Sequence, residues 1–458
     1  MPPEEFRKFA HQAVDWMADF LAHPERYPVL PRIKPGALID SLPRCGPEQG
    51  EPMSAILEDF ERQIVPACTH WNHPGFMAYF AVSGSGPGIL GEMLTAALNM
   101  NGMVWKSSPA VVELEQVTLD WLRHWMGLPE NLFGITYDTA STSSMHAIAA
   151  AREMAAPEVR TEGDGAGLVL YTSEQAHSSI EKGAIAIGIG QKNVRKIPVD
   201  AEFRMRPDAL RKAIEQDRAS GLRPFCVTAT VGTTSTTSVD PVDAIAEIAA
   251  RYSLWLHVDA AYAGIVAIAP EFQHLLKGCE RADSLVTNPH KWLFTPVDIS
   301  LLYTRHPEIL RRAFSLVPEY LKTADDPRAV NFMDYGVPLG HRFRALKLWF
   351  VLRYYGREGV ACVIRNHVAW AHELASEVDA DARFERTAPT PLSVVCFRKK
   401  GSDDENRALL DRVNASGQVF LSHTVLNGKF SLRLAIGNIG TTRDHVQRAW
   451  ELVKASLH

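Results

Sequence analysis

The sequence predicts an α/β protein with three parts: a helical segment, a large domain on a mostly parallel sheet, and a smaller C-terminal α/β domain. Three observations predict this. Between residues 168 and 304, apolar runs of strand length alternate with helical patterns, as in a sheet covered by helices on both faces. The 458 residues exceed an ordinary single domain. Two short stretches, 254–261 (LWLHVDAA) and 284–292 (SLVTNPHKW), place Asp259 and Lys291 32 residues apart just after strand-like runs, at the edge where open α/β sheets bind ligands.

Composition narrows the function classes. A charged content of 22% with a net charge of -5 offers no footing for nucleic acid. No run reaches the ~18 apolar residues needed to span a bilayer, and the amphipathic start is not a leader peptide, so no membrane partner is expected and the cytoplasm is the expected compartment. Cys45, Cys68, Cys226, Cys279, Cys362 and Cys396 lack CxxC spacing, which fits reduced thiols rather than disulfides or a metal centre.

Phe6, Phe9, Ala10, Ala13, Val14, Met17 and Leu21 recur at three- and four-residue steps, which predicts a helix over 3–21. Six prolines make 27–52 extended, and a second helix follows near 53–65. This N-terminal segment, 1–84, is too thin to bury a core alone. The glycines of 83–88 lack GxGxxG spacing and a following lysine, so they predict a turn before a helix over 89–99 rather than a phosphate loop.

A helix over 112–126 leads to 132–141, and a further helix runs on to Met154. Its start, Thr139, Ala140 and Ser141, offers unpaired backbone N–H groups that suit a phosphate, although any Ser or Thr also makes a plain N-cap. Strands are expected at 168–171, 194–198, 225–230, 254–258, 285–287 and 299–303, with helices from His177, Pro207 and Val242. Residues 307–335 read as a long polar loop, which in a compact enzyme is either disordered or a lid. A helix runs to Tyr355, Gly356 caps it, and strands near 393–397, 418–421 and 430–436 with helices near 405–414 and 443–455 form the small domain. The large domain is thus 85–356 and the small one 357–458.

A lysine beside an aromatic ring in a part-apolar turn can act as an amine nucleophile. The cofactor needing both a lysine and a carboxylate is pyridoxal phosphate: the lysine forms a Schiff base with its aldehyde, and the carboxylate keeps its ring nitrogen protonated. Taken singly, Lys291 is most simply a surface lysine and Asp259 a helix cap. Together, HVDAAYAG and NPHKW resemble the signature of the pyridoxal-phosphate group II decarboxylases, specifically the aromatic-L-amino-acid decarboxylases, and the likeness runs from about Phe6 to Val453.

The resemblance implies a fold-type I enzyme with a seven-stranded sheet, working as a homodimer with shared active sites that the N-terminal segment wraps. It implies a cofactor site of Lys291, Asp259, His177, Thr139, Ala140, Ser141, Thr234, Ala261, Ser284, Asn288 and His290, with His177 over the ring face. It also implies a substrate pocket drawn from Trp71, Tyr79, Phe80, Ala81, Val82, Asn101, Met103 and Gly356. Ala81 and Val82 depart from the proline and threonine of animal members. On residue chemistry alone, His177 reads first as a structural histidine at a helix start, and Thr234, Ser284, Asn288 and His290 as turn residues.

The implied activity is decarboxylation of aromatic L-amino acids, with Gly356 leaning toward indole side chains. In the family a lid tyrosine eight residues before the PLG glycine protonates Cα; here that place is Phe332. A phenylalanine keeps the ring and loses the hydroxyl. Plant relatives with phenylalanine there are aldehyde synthases, so oxidative deamination to an arylacetaldehyde is the alternative, with Tyr335 or His177 as substitute acids. A non-catalytic dimer is opposed by the intact Lys291, Asp259 and His177, and an aminotransferase would need a keto-acid partner.

Overall fold

A computed structural model describes residues 1–163, 165, 167–316 and 328–457. Seven strands form the large sheet in the order Phe133–Tyr137, Ser300–Thr304, Ser284–Thr287, Trp255–Asp259, Arg223–Thr230, Leu168–Ser173, Val194–Ile197. All pair in parallel except Ser300–Thr304, which runs against both its neighbours. Strand Phe133–Tyr137 was not expected from sequence, where its glycine and polar residues mask the apolar run.

Alternate residues of Leu168–Ser173 enter different cores. Val169 and Tyr171 pack with Val227, Leu256 and Val258 on one face, and Leu168 and Leu170 with Cys226, Trp255 and Leu302 on the other. Both faces are therefore buried, which is why these strands read as continuous apolar runs.

The C-terminal sheet has five strands, ordered Phe76–Met77, Phe420–Leu426, Lys429–Ala435, Val394–Lys399, Phe384–Arg386. Its edge strand comes from the N-terminal segment and pairs in parallel with Phe420–Leu426, so that segment is not wholly helical. Helix Pro3–Ala22 has no buried residue.

The glycine-rich stretch starts helix Gly86–Leu98 three residues earlier than expected. A Cβ on Gly88 would lie 2.4 Å from Pro296, and one on Gly91 2.6 Å from the Lys347 backbone, so these glycines serve close packing. Helix Arg344–Ala380 is broken at Gly356, where φ is +64° and ψ 175°; the chain resumes helix at once instead of stopping. Of the expected polar loop, helix Pro307–Phe314 and the 3₁₀ turn Phe332–Tyr335 are ordered structure, and 317–327 lie outside the described residues.

Candidate active site

Strands Trp255–Asp259 and Ser284–Thr287 are parallel neighbours, with His257 opposite Ser284 and Asp259 opposite Val286. Their carboxyl ends therefore open on the same edge. Asp259 ends the first strand, and Lys291 lies in the turn of helix Pro289–Trp292 after the second. Both line a cavity of about 240 Å³ with Phe80, Thr139, Ala140, Ser141, His177, Thr234, Ala261, Asn288 and His290. Ten of the eleven sequence-predicted cofactor residues are thus brought together.

Ser284 is the exception and corrects the sequence reading. It begins its strand at the opposite end from the cavity, and its hydroxyl accepts from Trp255 Nε1 at 2.8 Å and bonds His257 Nδ1 at 2.9 Å. Buried there, it lies beneath the site rather than against a phosphate.

Burial holds the Lys291 ammonium below the usual lysine range; Arg433 adds to the effect and Asp259 opposes it. Among the described residues Lys291 Nζ has no hydrogen-bond partner, and it stands 5.5 Å from the Phe80 ring centre. Asp259 Oδ1 accepts the Ala261 N–H at 3.1 Å, which fixes the carboxylate. His177 caps helix Ser178–Ala186: its Nδ1 accepts from Ser179 N at 3.2 Å and bonds Ser179 Oγ at 2.8 Å. Burial, then the nearby Lys291 charge, pulls its pKa down. His290 is pushed down to about 3 by burial and Lys291, and its Nδ1 accepts from Ile299 N at 3.0 Å.

Thr139 is the N-cap of helix Ala140–Ala155, so the first-turn N–H groups face the cavity. The neighbouring Asp138 accepts from Thr139 N at 2.6 Å, which brings a carboxylate beside this positive end. Thr234 lies in a loop closed by the Val231–Val239 bridge. Its base is clamped by buried Asp240, which accepts from Thr230 N and Met205 N and is pushed up to about 6 by burial.

The substrate residues behave differently. Phe80 lines the cavity, stacked on Tyr262 at 3.7 Å, and Tyr262 stacks on Trp292 at 4.6 Å. Ala81 is buried against Val29 and Phe76, while Val82 joins Trp71 in a separate surface groove. Trp71 and Tyr79 stack on each other outside the cavity, 38% and 54% exposed. Asn101, Met103 and Gly356 do not reach it either: Asn101 Oδ1 accepts from His341 N at 2.9 Å, and Met103 O accepts from Met333 N at 3.0 Å.

Phe332 is 2% exposed and stacks on His341, outside the cavity. Tyr335, considered as its substitute, packs its ring on Phe133 at 5.1 Å and is also outside.

Sequence reading missed Arg433, whose only local setting is a strand of the small domain. It is 3% exposed and 4.8 Å from the Phe80 ring centre. Its Nε donates to Ser235 O at 3.1 Å and its Nη1 to Tyr79 O, while Nη2 is buried without a partner among the described residues. Tyr262, Ser179, Thr230 and Gly232 also line the cavity unforeseen. Of these, Gly232 carried a signal: its φ is +87°, and a Cβ would meet Ala263 at 2.5 Å.

The residues present fit pyridoxal phosphate on several independent counts. A half-enclosed lysine amine lacks a partner, a fixed carboxylate faces the same space, and a helix N-terminus opens on it. Asn288 Oδ1 and Thr230 Oγ1 are buried with their hydrogen-bonding capacity unused.

Comparison with known proteins agrees. The family model described as "Pyridoxal-dependent decarboxylase conserved domain" matches residues 35–400. The chain is 42% identical to an aromatic-L-amino-acid decarboxylase of Catharanthus roseus, covering 98% of this chain and 93% of the relative. It is 40% identical to a phenylacetaldehyde synthase of a Rosa hybrid cultivar, covering 99% and 94%. Catharanthus roseus tryptophan decarboxylase, solved in complex with L-tryptophan, superposes with a TM-score of 0.95 at 41% identity, covering 100% and 98% of the two chains. By motif, fold and cavity, the chain belongs to the pyridoxal-dependent decarboxylase family.

Proposed function

We propose that this protein decarboxylates aromatic L-amino acids, tryptophan-like ones foremost, to the aryl amine and carbon dioxide. The observation that carries the reading is the convergence of Lys291, Asp259 and His177 on one cavity beside Phe80. Relatives named for aromatic substrates support the substrate class.

Bound in the cavity, pyridoxal phosphate supplies an electron sink for the pair left when the carboxylate departs. Lys291, desolvated by burial, would hold the cofactor through its amine. Asp259 would keep a proton on the ring nitrogen, and His177, its Nδ1 engaged by Ser179, would use Nε2 to hold or pass a proton. The N–H groups of Ala140 and Ser141 would receive the phosphate. Phe80 offers an apolar face, and Arg433 an uncompensated positive charge for a substrate carboxylate.

The exposed apolar faces support a homodimer. Phe6, Val14 and Leu21 on the first helix and Leu90, Met93, Leu94 and Leu98 on Gly86–Leu98 have no cover in one chain. In our reading 1–84 wraps the partner, Asn101, Met103 and Gly356 serve the partner's cavity, and 85–356 and 357–458 are the large and small domains. Reduced cysteines support a cytoplasmic setting; all six are free.

A phenylacetaldehyde synthase 40% identical to this chain favours a second outcome. In that outcome oxygen, in place of a proton, would take up the electron pair that the departing carboxylate leaves. Each turnover then takes up one oxygen and one water, and releases carbon dioxide, arylacetaldehyde, ammonia and hydrogen peroxide. The deciding experiment incubates cofactor-loaded protein with L-tryptophan in air and follows amine, aldehyde and dissolved oxygen. Amine with flat oxygen makes it a decarboxylase; aldehyde with matching oxygen loss makes it an aldehyde synthase. Neither product would refute both readings.

A further inference from the structure

Strand Trp255–Asp259 is covered by helix Ala140–Ala155 on one face only. Leu256 and Val258 enter the core on the far side of the sheet, while Trp255 packs with Ala147, Ile148 and Ala151 of the helix. Strand alternation puts His257 and Asp259 on the Trp255 face, with Asp259 at the cavity and His257 two residues below it.

At the level of His257 the helix meets the sheet through a polar layer. His257 Nε2 lies 3.0 Å from Ser144 Oγ on the helix, and Nδ1 lies 2.9 Å from Ser284 Oγ on the neighbouring strand. One residue nearer the helix start, Ser143 Oγ is 2.8 Å from Ser300 Oγ on a third strand. Ser143, Ser144, His257, Ser284 and Ser300 are all fully buried. Apolar packing would cover this face at less cost in desolvation, but it tolerates sliding, whereas a hydrogen bond holds its two atoms at one distance. The layer therefore fixes how far the helix start stands from the end of the strand that carries Asp259. In the cavity the helix start would take the phosphate and Asp259 the ring nitrogen of pyridoxal phosphate, so this separation has to match a single ligand.

We propose that His257, tied to Ser144, is a positioning residue that sets the spacing between the phosphate-receiving helix end and Asp259, so that one cofactor molecule engages both. This rests on the reading of Asp259 as the partner of the ring nitrogen.

The test titrates the full-length apoprotein with pyridoxal phosphate and with an analogue that has carbon in place of the ring nitrogen. The two ligands share the phosphate and the aldehyde, so the ratio of their dissociation constants isolates the bond to Asp259. The unaltered chain should prefer pyridoxal phosphate by about tenfold or more, the scale of a charged hydrogen bond. Ser144→Ala and the pair His257→Leu/Ser144→Ala, which removes both ends of the tie, should bring the ratio to within about threefold of one. His257→Gln, whose amide still reaches toward Ser144, should keep the preference. Ser144→Ala alone carries the test if the double variant does not fold.

A preference kept in Ser144→Ala would overturn the proposal, whether both ligands bind as before or both weaken equally, since equal weakening marks damage to the helix end alone. A glutamine variant as indiscriminate as the alanine one would overturn it too. An unaltered chain that binds both ligands alike would defeat the reading of Asp259 along with the proposal, and that failure shows itself before any substitution is made.

Discussion

The two halves of the candidate site are built in opposite ways. The candidate cofactor half gathers within one chain: adjacent parallel strands deliver Asp259 and Lys291 to one edge, and the loops after neighbouring strands add His177 and Thr234. The substrate half is dispersed. Trp71 and Tyr79 stack on the outside, and Asn101, Met103 and Phe332 cluster around His341. The difference teaches that sheet topology gathers the candidate cofactor residues on one edge, whereas the candidate substrate residues lie scattered over separate parts of one chain.

The largest effect should come from the cofactor half. Lys291→Ala is expected to lower kcat on the order of 10⁴-fold and to abolish the visible absorbance of the bound cofactor, while leaving the melting temperature nearly unchanged. Retention of activity within tenfold would show that the cavity is not the reaction centre.

Acid should weaken both halves together. His146 and His257 are pushed down to about 4, and His367 to about 3, chiefly by burial. The unfolded chain takes up protons as pH falls through the ordinary histidine value of 6.5, while the folded chain does not. Their contribution is therefore intact above 6.5 and is lost as pH falls toward about 4, by up to about 1.4 kcal/mol per pH unit for each histidine. Melting temperatures between pH 7.5 and 4.5 check this. Hydrogen exchange at low pH would sharpen the comparison, since His257 lies beneath the cofactor cavity and His146 holds Val337 N beside the Phe332 turn.

Arg433 joins the halves. Replacing it by methionine should raise KM for L-tryptophan about 10- to 100-fold, the scale of a lost charged hydrogen bond, with a smaller loss in kcat. Equal losses for a substrate analogue lacking the carboxylate would show that the arginine acts only by packing on Phe80.

The smallest effect concerns Asp138. Its carboxylate beside the phosphate-receiving helix end opposes an anion, so Asp138→Asn should tighten the cofactor about two- to fivefold. A cofactor titration of the apoprotein measures this, and weaker binding would mean that its bond to Thr139 N matters more than its charge.

The candidate cofactor residues were legible because their chemistry is local. Asp259, Lys291, His177 and Thr234 each follow an apolar strand within a few residues, so a pattern of strand then polar turn places them at the carboxyl edge. Ser284 shows the limit of that rule: it carries the same motif but begins the strand, and only its pairing with His257 reveals that it is spent on Trp255 and His257. Strand Phe133–Tyr137 escaped notice because its glycine and polar residues break the apolar pattern, and what stabilises it is pairing with Ser300–Thr304.

By itself, then, the sequence determined the cofactor chemistry, the alternation that makes the sheet, and the absence of a hydroxyl at Phe332. Only the tertiary structure decided that Arg433 stands behind Phe80, that Tyr262 bridges Phe80 and Trp292, and that Glu115 and His341 meet across 226 residues. The physical reason is separation along the chain. Backbone and turn preferences act over a few residues and leave a readable trace, whereas packing and burial join residues from distant elements whose identities, taken alone, have many equally good explanations.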